Sequence, residues 1–168
     1  MNIRLISMTK ALCRDYHRGF AYDPAMFPEG ICNRQYTYSD QTADAHWQRQ
    51  HDLGRIHLAV MLGNRVIGDV VLKNIDRNTG SCTMGIHLQN DSFKNKGYGT
   101  EAEIQVLEYA FYQAGMNAVY ADAFIRNTRS QHVLRKTGFK EIDRDKDFIY
   151  YICEKSSWKR PESGSGQS

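Results

Sequence analysis

A short loop with two glycines constrains this chain most, because it joins a strand-like run to a helix-like run. The loop lies within residues 85–101 and carries Gly97 and Gly99, with Lys94 and Lys96 just before them. The first backbone N–H groups of a helix have no partner inside the helix, and the helix dipole adds partial positive charge there. Glycines also let the backbone approach a ligand closely. The pattern therefore predicts a binding site for an anionic group at the start of a helix.

The loop matches neither of two well-known nucleotide-binding fingerprints. It does not read G-x-x-x-x-G-K-[ST], and Ala102 stands where the third glycine of G-x-G-x-x-G would fall. A strand-to-helix turn with a solvated basic loop explains the local pattern equally well, so the rest of the chain has to decide.

The segments before the loop show mainly the two-residue period of strands. Apolar residues alternate over 56–62, a Gly63-Asn64 turn follows, and a second apolar run ends at Leu72, which is typical of a hairpin. The elements expected ahead of the loop are a strand over 3–7, helices over 10–18 and 40–52, and strands over 56–62, 66–72 and 82–88.

The period of the apolar residues changes after the loop. Ile104, Leu107 and Phe111 recur at helical spacing, and Gly115 ends this predicted helix. A strand over 119–124, a helix over 127–136 and a hairpin of strands 139–144 and 148–154 are expected to follow. Runs of strands with inserted helices, rather than strict alternation, indicate an α+β domain with a mixed sheet.

Together with a second motif, the loop resembles the GNAT N-acetyltransferase superfamily. The acetyl-CoA loop of that family reads R/Q-x-x-G-x-G/A, and residues 94–99 read Lys-Asn-Lys-Gly-Tyr-Gly, with Lys94 in place of Arg or Gln. The family's Asn at the start of the next helix and the Gly-Phe at its end correspond to Asn127 and Gly138-Phe139. The resemblance covers roughly residues 1–155 and is nearest to the branch with ribosomal-protein alanine and spermidine acetyltransferases.

The resemblance implies one domain over residues 1–155, followed by a flexible tail over 156–168. The expected GNAT fold is a mixed, mostly antiparallel twisted sheet of about six to seven strands, with about four helices. The sheet splays open between the fourth and fifth strands, and the pantetheine arm of the cofactor lies in the split.

Acetyl-CoA is the implied cosubstrate, and no metal is expected. The loop would hold the diphosphate, and an N–H of the fourth strand near residues 86–88 would stabilise the developing oxyanion. Asn127 would bind the cofactor as well as cap its helix. The predicted cofactor-binding residues are Ile86, His87, Leu88, Lys94, Asn95, Lys96, Gly97, Tyr98, Gly99, Thr100, Asn127 and Ser130.

Asp122 is the first candidate for the general base, because some family members carry a base glutamate at this place on the fifth strand. An alkylamine with a pKa near 10 is unprotonated only on the order of 10⁻³ of the time at pH 7, so the acceptor has to lose a proton. A strand Asp that is solvated or paired with an Arg explains Asp122 equally well. His87 and Asp69 are weaker candidates.

The resemblance does not supply a general acid for the departing thiolate, because many family members have a Tyr where this chain has Leu134. Ser130, Tyr150, Tyr151 or a water could substitute. Alternatively, the thiolate leaves unassisted, since a thiol with a pKa near 8.5 is a good leaving group. The predicted catalytic residues are Asp122, Ser130 and Tyr150.

The aromatic segment Gly19–Tyr38 corresponds to one wall of the family's acceptor cleft. Phe27, Tyr36 and Tyr38 are accordingly the predicted substrate-binding residues. These rings could instead simply cover the sheet edge.

Composition excludes several other classes. The net charge is only +3 and the basic residues are dispersed, so a nucleic-acid partner is not predicted. The four cysteines show no zinc-finger spacing, and no run is long enough to span a bilayer, which favours a cytoplasmic protein.

The leading interpretation is acetyl transfer to a primary amine of a small molecule or a protein N-terminus, by direct attack in a ternary complex. The alternative is a degenerate GNAT domain that binds acyl-CoA as a sensor or interaction module, and a homodimer stays open.

Overall fold

The computed structural model describes residues 2–26 and 35–162. Its elements are β1 (Ile3–Ser7), α1 (Lys10–Arg18), α2 (Asp40–Asp52), β2 (Ile56–Leu62), β3 (Arg65–Asp76), β4 (Ser81–Leu88), α3 (Tyr98–Glu108), β5 (Ala118–Phe124), α4 (Thr128–Thr137), β6 (Lys140–Arg144) and β7 (Phe148–Glu154). A π-helical turn, Tyr109–Gln113, continues α3. No helix of these residues is long and apolar enough to cross a membrane.

The strands form one seven-stranded sheet in the order β1-β2-β3-β4-β5-β7-β6. Every neighbouring pair is antiparallel except β4 and β5, which run parallel. This mixed, mostly antiparallel sheet, with four α-helices in the part of the chain that the structure describes, confirms the predicted fold class.

Local sequence signals set the helix starts. The side chain of Thr9 accepts a hydrogen bond from the Leu12 amide at 3.1 Å, and that of Ser39 accepts one from the Thr42 amide at 3.0 Å. Both satisfy an amide that the first turn of a helix leaves unpaired. The helices α1 and α2 therefore begin where their caps predict.

The sheet has a core on each face. The larger core packs α3 and α4 on one face, with Val106 and Leu134 among its members. The smaller core lies under α1 and α2 and includes Tyr16. Consequently β2 is buried on both faces, with Val60 in the larger core and Ala59 in the smaller one.

Contacts continue past the expected domain end at residue 155. The indole N–H of Trp158 donates to the Thr137 carbonyl at 2.9 Å, and its ring packs against Phe111. Arg160 forms ion pairs with Glu101 and Glu108. The chain up to residue 162 therefore lies against α3 and α4, while 163–168 of the expected tail fall outside the described residues.

Candidate active site

A cavity of about 600 Å³ opens where β4 and β5 separate. These two strands pair only at Ser81–Thr83 with Ala118–Tyr120. Beyond these pairs, Met84–Leu88 and Ala121–Phe124 line opposite sides of the cavity. The expected split between the fourth and fifth strands is therefore present.

Both faces of the sheet contribute to the cavity walls. Leu134 of α4 and Glu103 of α3 reach it from one side. Phe20 and Asp23, which follow α1, reach it from the other. The cavity thus connects the two faces of the sheet through the split.

The glycine loop at the start of α3 has an unusual backbone. Asn95 has φ 59° and Gly97 has φ 83°, both in the left-handed region. Such turns align successive N–H groups into anion-binding concavities. Within the described residues, the amides of 96–100 donate no hydrogen bond, and Gly97, the cap of α3, has no side-chain cap. These amides are therefore available to a ligand.

Lys94 is held differently from Lys96. The Lys94 ammonium lies 2.7 Å from Asp23 and 2.8 Å from Asp91, and its side chain is largely buried. Burial raises the pKa of Asp23, but the hydrogen bonds from Lys94 and the Ala25 amide, together with the charges of Lys94 and Arg129, outweigh it and leave the pKa lowered. Lys94 thus ties the loop to the segment after α1, whereas Lys96 is exposed and does not line the cavity.

The other predicted cofactor residues divide by position. Asn127 caps α4 by accepting the Ser130 amide at 3.1 Å, and both residues line the cavity. The amide group of Asn127 donates no hydrogen bond among the described residues, which leaves it free for a ligand. The remaining predicted residues in the cavity wall are Ile86, His87, Leu88, Lys94, Asn95, Gly97, Gly99 and Thr100, whereas Tyr98 packs against the core.

His87 and Asp122 face the cavity from the α1/α2 side of the sheet. His87 is paired in register with Asp69 and is exposed on the cavity wall, where desolvation by the protein that surrounds the cavity lowers the pKa of its imidazole. Asp122 is exposed and forms no ion pair or hydrogen bond with any described residue. The split therefore carries an imidazole on one edge and an unpaired carboxylate on the other.

Of the residues predicted as candidates for the general acid, some line the cavity and others do not. Tyr150 is the register partner of Asp122 on β7, but its hydroxyl donates to Asp145 at 2.6 Å. That hydrogen bond raises the pKa of Tyr150 to about 12, and the residue does not line the cavity. Leu134 is buried and offers no proton donor. Of the three predicted catalytic residues, Asp122 and Ser130 are therefore together in the cavity, and Tyr150 is not.

The predicted acceptor residues lie mostly behind the cavity wall. Tyr36 packs edge-on against Phe20 at 5.2 Å, and it is Phe20 that lines the cavity. Tyr38 hydrogen-bonds to Asp40 and lies under Arg18, away from the cavity. Phe27 lies outside the described residues.

Glu103 is a cavity residue that the sequence analysis did not select. Its side chain is buried between α3 and α4, where it accepts a hydrogen bond from Thr137 at 3.0 Å. Burial raises the pKa of this carboxyl to about 8. The signal was present, because Glu103 precedes Leu107 and Phe111 by four and eight residues on the buried stripe. Lys73, Arg129 and Lys136 also line the cavity.

A split mixed sheet, a cavity through the split and helix-start amides with no partner among the described residues are the features of an acyltransferase that binds acyl-CoA. The family follows from sequence comparison: the chain belongs to the acetyltransferase (GNAT) domain family, whose model matches residues 3–140. It is therefore an N-acetyltransferase, and the predicted resemblance is confirmed.

Individual relatives agree with this family. The chain is 28% identical to the putative ribosomal N-acetyltransferase YdaF of Bacillus subtilis over 130 residues, which is 71% of this chain and 70% of that protein. It is 29% identical to the acetyltransferase PseH of Campylobacter jejuni over 63% of this chain and 64% of that protein. Mycobacterium smegmatis RimJ in complex with CoA-disulfide has the same fold, with a TM-score of 0.77 at 16% identity over 92% of this chain and 82% of that one.

Proposed function

We propose that this protein transfers the acetyl group of acetyl-CoA to a primary amine by direct attack in a ternary complex. The observation that carries the proposal is the set of unpaired amides of residues 96–100 at the head of the split. A cofactor bound there could extend its pantetheine arm along β4 into the cavity, because the loop follows β4 directly. An amine could then approach from the opposite face of the sheet.

The residues present fit a diphosphate-containing cofactor. Left-handed backbone at Asn95 and Gly97 and the positive end of the α3 dipole favour an anion without any salt bridge from Lys94. The amide group of Asn127 would donate to the pantetheine arm from the other wall. When bound, acetyl-CoA supplies an activated acetyl thioester.

Asp122 is the proposed general base. An acceptor amine is almost entirely protonated at neutral pH and has to lose a proton before its nitrogen can attack. The Asp122 carboxylate has no partner among the described residues and lines the cavity, so it can take that proton directly or through one water. The nitrogen lone pair then forms the new C–N bond as the C–S bond breaks.

Departure of the thiolate requires little help from this chain. The buried Leu134 has no proton to give, and the Tyr150 hydroxyl is committed to Asp145. The Ser130 hydroxyl remains as the donor candidate in the cavity. Because a thiol with a pKa near 8.5 leaves readily as the anion, we expect Ser130 to contribute less than Asp122.

The acceptor class is a primary amine of a small molecule or a protein N-terminus. The relative YdaF is named a putative ribosomal N-acetyltransferase, which makes the N-termini of ribosomal proteins the first peptides to include in a panel. Polyamines and amino sugars complete the panel.

The test is thiol release from acetyl-CoA in the presence of each amine, followed with a chromogenic disulfide. With the acceptor that reacts, Asp122→Asn should lower kcat/KM at neutral pH by about 10²–10⁴-fold, which is the usual contribution of a positioned base. Asp143→Asn is the matched control, because it changes an exposed strand carboxylate that does not line the cavity. Equal rates for Asp122→Asn and wild type would reject the base. Tight acetyl-CoA binding without thiol release for any amine would reject acetyl transfer to these acceptor classes.

A further inference from the structure

A second polar cluster lies on the α1/α2 side of the sheet, behind the acceptor wall of the cavity. It brings together His17 of α1, His46 of α2, His57 of β2 and Asp69 of β3. Asp69 and His17 are buried, and 35% of the His46 side chain is exposed. Of these, His17, His46 and Asp69 are distant in sequence but bring atoms that can bind a metal close together. The partly exposed His46 side chain leaves this group accessible to solvent.

The donor atoms of three of these residues are close enough for one ion. The available atoms of His17, His46 and Asp69 all lie within 4.8 Å of one another. The Nε2 of His46 is 3.1 Å from the Oδ2 of Asp69. Zinc bonds of about 2.0–2.1 Å in a tetrahedron place donors roughly 3.3 Å apart. The longest separation therefore has to shorten by no more than about 1.5 Å, which side-chain rotation supplies.

Neighbouring groups hydrogen-bond to the His17 ring and the Asp69 carboxylate and fix their orientation, as is usual for metal ligands. The Nδ1 of His17 lies 2.7 Å from the Cys13 carbonyl, so it carries the hydrogen and leaves the lone pair on Nε2. The Nε2 of His57 lies 2.9 Å from the Oδ1 of Asp69, which holds the carboxylate with Oδ2 toward His46. Such second hydrogen bonds fix the ring and carboxylate of metal ligands.

Two further observations indicate that the cluster can take a ligand. Asp69 has no Lys or Arg partner among the described residues, so a buried carboxylate is balanced by imidazoles alone. The Tyr36 hydroxyl is buried with no hydrogen-bond partner among the residues that the structure describes, and its ring lies 5.8 Å from the His17 ring. A water on a bound ion would give that hydroxyl a partner.

We propose that His17, His46 and Asp69 form a binding site for a divalent transition metal of the zinc class. Two imidazoles and one carboxylate are a common set for zinc and for iron(II), and they leave a coordination position for water. The ligands come from α1, α2 and β3, so the ion would link both helices to the sheet. The site goes beyond acetyl transfer, since none of its three ligands lines the cavity.

The test is metal binding to the full chain, freed of any tag and stripped with a chelator. Calorimetry with Zn²⁺ should give one equivalent bound at micromolar affinity, and Co²⁺ should give the visible absorption of a four- or five-coordinate ion. His46→Gln should weaken Zn²⁺ binding by at least about tenfold, because it removes one of three protein ligands. The same metal should raise the Tm of the wild type and not that of His46→Gln.

His51→Gln is the matched control, since His51 is an exposed histidine on the same helix and lies outside the cluster. We expect it to bind Zn²⁺ as the wild type does. The proposal is overturned if no saturable equivalent binds, or if His46→Gln keeps the wild-type affinity. Loss of binding in His51→Gln with retention in His46→Gln would equally overturn it, by assigning the metal to the surface. Because no readout is enzymatic, these results do not depend on the proposed transferase.

Discussion

At the scale of single residues, the buried position of Glu103 raises the pKa of its carboxyl to about 8, which favours the neutral form at neutral pH. It is enclosed between α3 and α4, and Thr137 is its hydrogen-bond partner. The hydroxyl of Thr137 also lies 3.0 Å from the Val133 carbonyl. The single hydrogen of that hydroxyl is the only hydrogen-bond donor to Glu103 among the described residues, so a charged form of the carboxyl would have little stabilisation. A carboxylate at this place would put a buried charge beside the cofactor cavity.

Replacing Glu103 with Gln tests this neutral state through stability. In the folded protein the pKa of the Glu103 carboxyl is about 8, which lies above the ordinary value of 4.5. Between these two pH values the folded chain therefore keeps a proton that the unfolded chain releases. The stabilisation is complete below about pH 4.5 and is lost as the pH rises to about 8, at up to about 1.4 kcal/mol per pH unit. Glu103→Gln should remove this slope in urea unfolding measured across that window.

Glu101→Gln is the control for Glu103→Gln. Glu101 lies on the same helix, and its carboxylate is directed toward Gln105 and Arg160 rather than into the core. We expect this variant to keep the wild-type slope. A Glu103→Gln protein whose stability falls as steeply as that of the wild type would show that Glu103 is already ionised when folded.

Single residues also show how far the sequence could lead. The sequence predicted Gly97 at the start of a helix beside two lysines, and a glycine there permits the left-handed φ of 83° that the structure has. The pairing of Lys94 with Asp23 was not predictable, since their contact crosses 71 residues. Tyr150 was a candidate acid by residue type alone, and neither its register pairing with Asp122 nor the hairpin turn that brings Asp145 to its hydroxyl could be predicted from the sequence. Long-range side-chain partners thus lay beyond periodicity and spacing.

At the scale of elements, the two glycines at the start of α3 differ in why a glycine suits their position. Gly97 has φ 83° and needs the left-handed region, whereas Gly99 does not. A Cβ on Gly99 would meet only the Leu88 side chain, at 3.8 Å, which is ordinary contact. We therefore expect Gly99 to matter for ligand access rather than for the fold.

Gly99→Trp should accordingly abolish acetyl-CoA binding in calorimetry while the Tm changes little, because the ring fills the head of the cavity without straining the backbone. Gly97→Trp should lose both affinity and about 1–3 kcal/mol of stability, the usual cost of a non-glycine residue in a strained backbone region. Unchanged affinity in Gly99→Trp would reject the loop as the diphosphate site.

Gly115→Ala is the control for strain alone. Gly115 has φ 73°, lies beyond the opposite end of the same helical segment and does not line the cavity. It should lose stability and keep its affinity for acetyl-CoA.

The elements themselves followed from the sequence more completely than their surroundings did. Caps at Thr9, Ser39 and Asn127 and the change of apolar period at the loop marked the helices. The docking of residues 156–162 was missed, because serines and charged residues make up most of the segment and a single ring, Trp158, anchors it. The prediction of a flexible tail rested on the average composition of the segment, which does not show that one side chain packs against the domain.

At the scale of the whole molecule, the cavity divides the sheet into two parts. β1–β4 and β5–β7 are joined by hydrogen bonds over only three residue pairs, Ser81–Thr83 with Ala118–Tyr120. The strand edges beyond these pairs face the cavity rather than each other. A ligand in the split would contact both parts and replace the missing strand pairing, so cofactor binding and the stability of the sheet should be coupled.

Coenzyme A should therefore stabilise the protein and protect the split selectively. A ligand present at about 100 times its Kd adds about 2.7 kcal/mol, which for a chain of this size raises the Tm by roughly 5–10 °C. In hydrogen–deuterium exchange, peptides over 84–88 and 121–124 should slow most on addition of coenzyme A, while those of the β1–β2 edge should not change. The Gly99→Trp protein should show neither effect. Uniform slowing across the sheet, or a Tm gain without protection at 84–88, would mean that the ligand binds elsewhere.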